Sequence, residues 1–149
     1  MIIREIELEN FGIYGGVWRF NLTPVPANGF NRPIVLFKGK NEAGKTSLTE
    51  AIRLCLHGSL AYGSRVGRAE YQAILAQRLH QADNCDQPAA PARINLLLNY
   101  VDAGRLRSYR VERHWTNDRG KIKESVGLHD LEDPKAFIDF KTDEERESF

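Results

Sequence analysis

Residues 2–9 alternate: Ile6 and Leu8 fall on one side, Glu5, Glu7 and Glu9 on the other. That two-residue period predicts a half-buried strand. Gly12, Gly15 and Gly16 mark a turn, and Trp18, Phe20 and Leu22 then alternate with Val17, Arg19 and Asn21, so 17–22 predicts a second strand paired to the first as a hairpin. Pro24, Pro26, Asn28 and Gly29 signal a loop. Ile34-Val35-Leu36-Phe37 is a short continuous apolar run, which predicts a strand covered on both faces in a parallel sheet. After residues 39–44 the period changes to that of a helix. Leu48, Ala51, Ile52 and Cys55 share a face, and Gly58 supplies a stop. Tyr71, Ile74, Leu75 and Leu79 predict a second helix over 68–82, followed by a loop over 83–92. Strand-like runs at 93–101, 106–115 and 121–129, broken by Asp102-Ala103-Gly104 and Asn117-Asp118-Arg119-Gly120, predict an antiparallel meander. An acidic helix is expected from Pro134.

The length of 149 residues suits one domain with a real core. With 42% hydrophobic and 28% charged residues the composition is that of a globular chain, not a disordered or collagenous one. The 21 basic and 20 acidic side chains nearly cancel, so overall charge favours neither nucleic acid nor membrane as a partner. Locally it is uneven. Arg105, Arg107, Arg110, Arg113, Arg119, Lys121 and Lys123 face only Glu112 and Asp118, whereas 130–149 is strongly acidic. The plain reading is a solvated face on each segment, and the alternative is anion binding by the basic one. Cys55 and Cys85 lack the CxxC spacing of a metal or redox pair. Charges at Arg4, Glu5, Glu7 and Glu9 exclude a signal peptide, and no apolar run reaches the roughly 20 residues of a membrane span. A cytoplasmic location with no membrane partner is expected.

Gly39-Lys40-Asn41-Glu42-Ala43-Gly44-Lys45-Thr46 fits the phosphate-binding pattern GxxxxGK[ST] at every fixed position. Glycines at 39 and 44 let the backbone curl with its N–H groups inward, close to phosphate oxygens. Lys45 would reach the β and γ phosphates, Thr46 would ligate Mg²⁺, and the helix that begins here would point its positive end at the same anion. The nucleotide-binding candidates are Gly39, Asn41, Glu42, Ala43, Gly44, Lys45, Thr46 and Ser47, with ATP and Mg²⁺ as cofactors. Glu42 suits an anion site only if its carboxylate points outward. NKxD and DxxG guanine motifs are missing, which makes ATP the default over GTP. Asp102 follows the run Leu96-Leu97-Leu98, but Asn99 interrupts it, no Glu comes next and Gly104 suggests a hairpin, so it is a turn residue before it is a metal ligand. No catalytic residue is assigned. His57 suits a helix C-terminus, His80, His114 and His129 show no metal spacing, and Cys55 reads as core. These elements predict an α/β P-loop NTPase fold with an antiparallel meander beside a partly parallel sheet.

The order Ile6-Glu7-Leu8-Glu9-Asn10-Phe11, Tyr14, a strand, then Ile34 to Thr46, Leu48, Glu50-Ala51-Ile52 and Gly58 resembles the N-terminal lobe of SMC-type ABC ATPases, which act on DNA ends, chromosomes and repair. Within that group Tyr62-Gly63-Ser64-Arg65, Glu70-Tyr71 and Tyr109 to Trp115 resemble DndD, the ATPase family of the DNA phosphorothioation (sulfur modification) system. The resemblance implies an ABC/SMC-type head N-lobe over 1–149: strands, phosphate loop and helix in 1–58, the meander in 93–129, the start of a helix in 134–149. It implies a longer parent chain whose coiled coil leads to a C-terminal lobe carrying the signature motif, the Mg²⁺-binding Asp and the catalytic Glu. It also implies a second ATPase head as homodimer partner, ATP sandwiched between heads, and DNA and other Dnd proteins as partners. DNA contacts would come from Arg65, Arg68, Arg105 and Arg107. Hydrolysis belongs to the full-length parent and is not assigned to this chain alone. Two rival readings are a stand-alone P-loop kinase, with Arg110 or Arg113 clamping phosphates, and a non-catalytic nucleotide-binding module.

Overall fold

The computed structural model of the protein describes residues 1–24, 34–79, 90–102, 104–118, 121–133 and 137–140. Strands β1 (Ile2–Phe11) and β2 (Tyr14–Asn21) form the expected hairpin. Helix α1 (Lys45–His57), a 3-10 turn (Gly58–Tyr62) and helix α2 (Arg68–Arg78) follow. Strands β3 (Ala92–Asp102), β4 (Arg105–Asp118), β5 (Lys121–Asp130) and β6 (Phe137–Phe140) complete one sheet of order β2-β1-β3-β4-β5-β6. The helix expected over 68–82 ends at Arg78, and Leu79 forms a bridge to Phe11 instead. Most of the expected 83–92 loop, the Asn117–Gly120 turn centre, Cys85 and His80 lie outside the described residues.

Strand alternation gives the sheet two different faces. In register, Leu8 sits beside Ile94, Arg113 and Val126, and Ile6 beside Leu96, Val111 and Leu128. The two helices cover this face, burying Leu48, Ala51, Leu54 and Cys55 of α1 and Tyr71 and Leu75 of α2. Phe11 and Trp115, both fully buried, stack with ring centroids 6.2 Å apart. Gln72 ties α2 to the start of β5 by a backbone-like pair: its amide nitrogen donates to the Ile122 carbonyl at 2.7 Å and its oxygen accepts from the Ile122 N–H at 3.0 Å. Cys55 lies beneath α1 with its Sγ near the Ile94 and Val111 carbonyls, so it is core, as its helical position predicts. The opposite face is polar. Arg19, Glu7, Asn95 and Glu112 align across four strands. Burial works to raise the Glu7 carboxyl, but hydrogen bonds from Arg19 and Asn95 and the charges of Arg19 and Arg93 bring it below its ordinary value.

Buried among the apolar side chains is one ion pair. Arg113 Nη1 donates to Glu124 Oε1 at 2.6 Å, and Arg113 Nε donates to the Cys55 carbonyl at 3.2 Å. Gly58, at φ 55°, leaves the room this requires, since a Cβ there would lie 2.8 Å from Arg113 Nη1. The cation therefore meets the negative C-terminal end of α1. Tyr71 donates its hydroxyl to the same Glu124 oxygen at 2.9 Å.

Three expectations are corrected. The predicted parallel component is missing: every strand pairing among the described residues is antiparallel. Ile34–Phe37 does not form a strand and is exposed, with Ile34 at 84% and Leu36 at 83% exposure. A parallel strand exists only through neighbours that satisfy its backbone, and no described segment flanks this run. The acidic helix expected from Pro134 is replaced over Phe137–Phe140 by β6, which pairs with β5 because aromatic and branched side chains suit a sheet edge. No helix among the described residues is long and apolar enough to cross a membrane.

Replacing Arg113 by Met leaves Glu124 buried without its cation and is expected to lower unfolding free energy by about 3–5 kcal/mol in urea titrations. Cys55 gives a pH signature. Burial pushes its thiol from 9.0 up to about 12, so between those values the unfolded chain loses a proton that the folded chain keeps. Stability therefore falls as pH rises through that window, by up to about 1.4 kcal/mol per unit. Wild type is expected to show this extra slope relative to Cys55→Ala.

Candidate functional site: a phosphate loop held by the first hairpin

The segment 38–44 turns back on itself between the exposed apolar run and α1. Ala43 N–H reaches the Lys40 carbonyl at 3.3 Å, Glu42 adopts φ 67° and Gly44 adopts φ 84°. A Cβ on Gly39 would come within 3.0 Å of the Ala43 Cβ, which is why the bend closes tightly there. Lys45 folds over the loop and donates from Nζ to the Gly39 carbonyl at 2.8 Å and to the Lys40 carbonyl at 2.5 Å. The ammonium thus spans both ends of the bend, where it would exchange these carbonyls for phosphate oxygens.

Helix α1 starts without a side-chain cap and without an acidic residue in its first turn. Leu48 N–H makes the first helical bond, to the Gly44 carbonyl at 2.9 Å. Among the described residues, none accepts a hydrogen bond from the amides of Gly44, Lys45, Thr46 or Ser47. Uncapped amides at a helix N-terminus, reinforced by the dipole, form an anion site. Asn41, Glu42, Ala43, Lys45 and Thr46 are exposed and Ser47 is half-buried. The Thr46 hydroxyl has no partner among the described residues, so it remains free to ligate a cation. These donors fit a polyphosphate with Mg²⁺, the amides and Lys45 taking the anion and Thr46 the metal.

The β1–β2 turn supports the loop from beneath. A Cβ on Gly12 would lie 3.0 Å from both the Cβ and the Oγ of Ser47, and Gly12 N–H donates to the Arg78 carbonyl at 2.7 Å. Tyr14, buried, donates its hydroxyl to the Gly44 carbonyl at 3.1 Å. Its ring meets Trp18 and Phe20 edge-on, and Phe20 in turn meets Phe37, two residues before the loop. Glu50 of α1 accepts from Tyr62 at 2.8 Å and from Arg78 at 2.7 Å, joining α1, the 3-10 turn and α2. The Tyr14 and Arg78 contacts are invisible to periodicity because their partners lie about 30 residues away along the chain.

The remaining candidates are scattered. Arg65 and Arg68 are exposed near the start of α2, whose Tyr71 and Gln72 reach Glu124 and Ile122 at the beginning of β5. Arg105 is exposed, and Arg107 is held by Asp130 at 3.0 Å at the far end of β5. The four arginines therefore do not converge. Alternation also divides the basic run, placing Arg107 and Arg113 on one face of β4 and Arg110 on the other. Arg113 cannot clamp phosphates, since it is buried at the opposite end of α1, roughly 20 Å along the 13-residue helix. Asp102 sits beyond the Ile2↔Asn99 pairing, at the other end of β1 from Gly12 and the loop, roughly 30 Å away by strand length. It is a hairpin residue, as its neighbours Asn99 and Gly104 suggest. Among the described residues no cluster of His, Cys, Asp and Glu could hold a metal.

A left-handed glycine, a lysine arched over the bend and an uncapped helix start on a sheet scaffold define a P-loop nucleotide-binding domain. The chain belongs to the family described as AAA domain, whose sequence model matches residues 5–147, a P-loop, SMC-like ATPase family. No curated protein matches the chain. Membership implies ATPase-type nucleotide binding, typically with Mg²⁺.

Gly44→Ala tests the geometry directly. The new Cβ would lie 2.5 Å from the Tyr14 hydroxyl and 2.8 Å from the Ile13 Cδ1, on a backbone at φ 84°. Left-handed strain alone costs roughly 1–2 kcal/mol. The melting temperature is expected to fall by at least about 4 °C in a thermal scan; an unchanged value would place Gly44 in another conformation.

Proposed function

We propose that this chain is the ATP-binding lobe of a DNA-associated, SMC-like ATPase working in the cytoplasm. The observation that carries the reading is the loop 39–46, whose helix-start amides are unspent and whose Lys45 ammonium arches over them. The lobe grips the phosphates of ATP through Gly39, Asn41, Glu42, Ala43, Gly44, Lys45, Thr46 and Ser47, with Mg²⁺ on Thr46. Positioning and charge neutralisation are most of what phosphoryl transfer asks of a protein. The water-activating base and the second metal ligand come from elsewhere: a C-terminal lobe joined through a coiled coil, and a second head that closes on the γ phosphate.

Two observations support a second lobe. Ile34–Phe37 leads into the loop as an exposed apolar ribbon, a surface that a soluble domain covers. Asp102, the acidic residue nearest to a metal-ligand pattern, stands at the wrong end of the sheet. DNA would be held through its backbone in a salt-dependent way by Arg65, Arg68, Arg105 and Arg107. Within this class the residues Tyr62 to Arg65, Glu70-Tyr71 and Tyr109 to Trp115 favour a role in DNA phosphorothioation alongside other Dnd proteins, or in a related defence or repair process.

Lys45→Ala in the full-length protein is expected to weaken Mg·ATP binding at least about 30-fold in calorimetric titrations, since it removes two charge-assisted contacts to the phosphates. Equal affinity in wild type and variant would remove the nucleotide reading.

A further inference from the structure

Gly44 occupies the point at which the loop becomes a helix, and its carbonyl oxygen has two partners. Leu48 N–H takes one lone pair at 2.9 Å and the Tyr14 hydroxyl the other at 3.1 Å. In a trans peptide the C=O and the following N–H point in opposite directions. A Gly44 carbonyl fixed toward Tyr14 and the body of α1 therefore turns the Lys45 N–H the other way, out of the helix start. Rotating this peptide plane would change ψ at Gly44, where no Cβ resists, and would break the Leu48 bond, so the Tyr14 bond acts as a second restraint beside it.

We propose that Tyr14 is a positioning residue for the phosphate site: its hydroxyl locks the Gly44–Lys45 peptide in the orientation that presents the Lys45 amide to an anion. This deepens the nucleotide-binding reading above and rests on it. The donor is itself held in place. Tyr14 is only 7% exposed and is wedged between Trp18 and Phe20 at centroid distances of 5.6 and 5.7 Å. Burial raises its hydroxyl above the ordinary tyrosine value, so it stays protonated as a donor through neutral pH. Phe20 also contacts Phe37, so one aromatic column braces the loop near both of its ends.

The test pairs two variants of the full-length protein, each measured for Mg·ATP affinity by calorimetry and for melting temperature without nucleotide. Tyr14→Phe keeps the ring column and deletes only the hydroxyl. It is expected to weaken Mg·ATP binding about 3- to 10-fold while the melting temperature moves by no more than about 4 °C. Leu96→Ala opens a cavity in the sheet core and leaves both the ring column and the hydroxyl in place, so it is expected to lower the melting temperature more, with affinity changed less than about twofold. Unchanged affinity in Tyr14→Phe overturns the proposal, as does an affinity loss that tracks melting temperature across both variants, which would make Tyr14 a packing residue alone. A wild-type protein that binds no Mg·ATP would fail earlier, at the nucleotide reading, and is distinguishable for that reason.

Discussion

One buried cation anchors the end of α1 that lies opposite the phosphate loop. The Arg113 guanidinium, rooted in the middle of β4, bonds Glu124 on the neighbouring strand and the last turn of α1 at once. Removing two charges from water is costly, and a buried pair of this kind adds little net stability over well-packed apolar side chains. What it supplies is place. Gly58 admits the guanidinium and the Cys55 carbonyl accepts from it, so the last turn of α1 is tied to β4 and β5.

The loop end of α1 is held by the first hairpin rather than by the meander. Gly12 touches Ser47, Tyr14 bonds Gly44, and Arg78 links the turn through its carbonyl and α1 through its guanidinium. The helix is thus clamped between two halves of one antiparallel sheet, β4 at one end and the β1–β2 turn at the other. The polar face opposite carries its own pairing of Glu7 with Arg19, Asn95 and Arg93, and keeps the two halves in register without adding apolar surface.

Much of this was legible in the chain. Alternation located β1 through β5 to within a few residues, and the GxxxxGK[ST] spacing located the loop, because both signals are local. The failures share one cause. Ile34–Phe37 has a buried strand's composition, yet composition cannot say whether a neighbouring strand exists to complete it. The basic run 105–123 looks like one patch when charges are summed along the chain, but strand geometry sends Arg110 to one face and buries Arg113 under a helix. At the C-terminus, the acids of 139–147 overshadowed the short apolar signal of Phe137, Ile138 and Phe140. Tyr14 belonged to the family resemblance, but no spacing rule could assign it to Gly44, since contact between them exists only once the hairpin has docked.

The topology also sets the span of each closure in the sheet. Strands β3, β4 and β5 are sequence neighbours joined by short turns, so their pairing closes small loops at low entropic cost. Strand β1 meets β3 only by bridging from Ile2 to Asn99 and from Glu9 to Arg93, a closure that spans both helices and the phosphate loop itself. Among the described pairings it closes the longest stretch of chain, so it carries the largest loop-closure cost. The cradle is thus enclosed by the longest-range pairing of the sheet, and any change that loosens the β1–β3 seam reaches the anion site through the chain it closes.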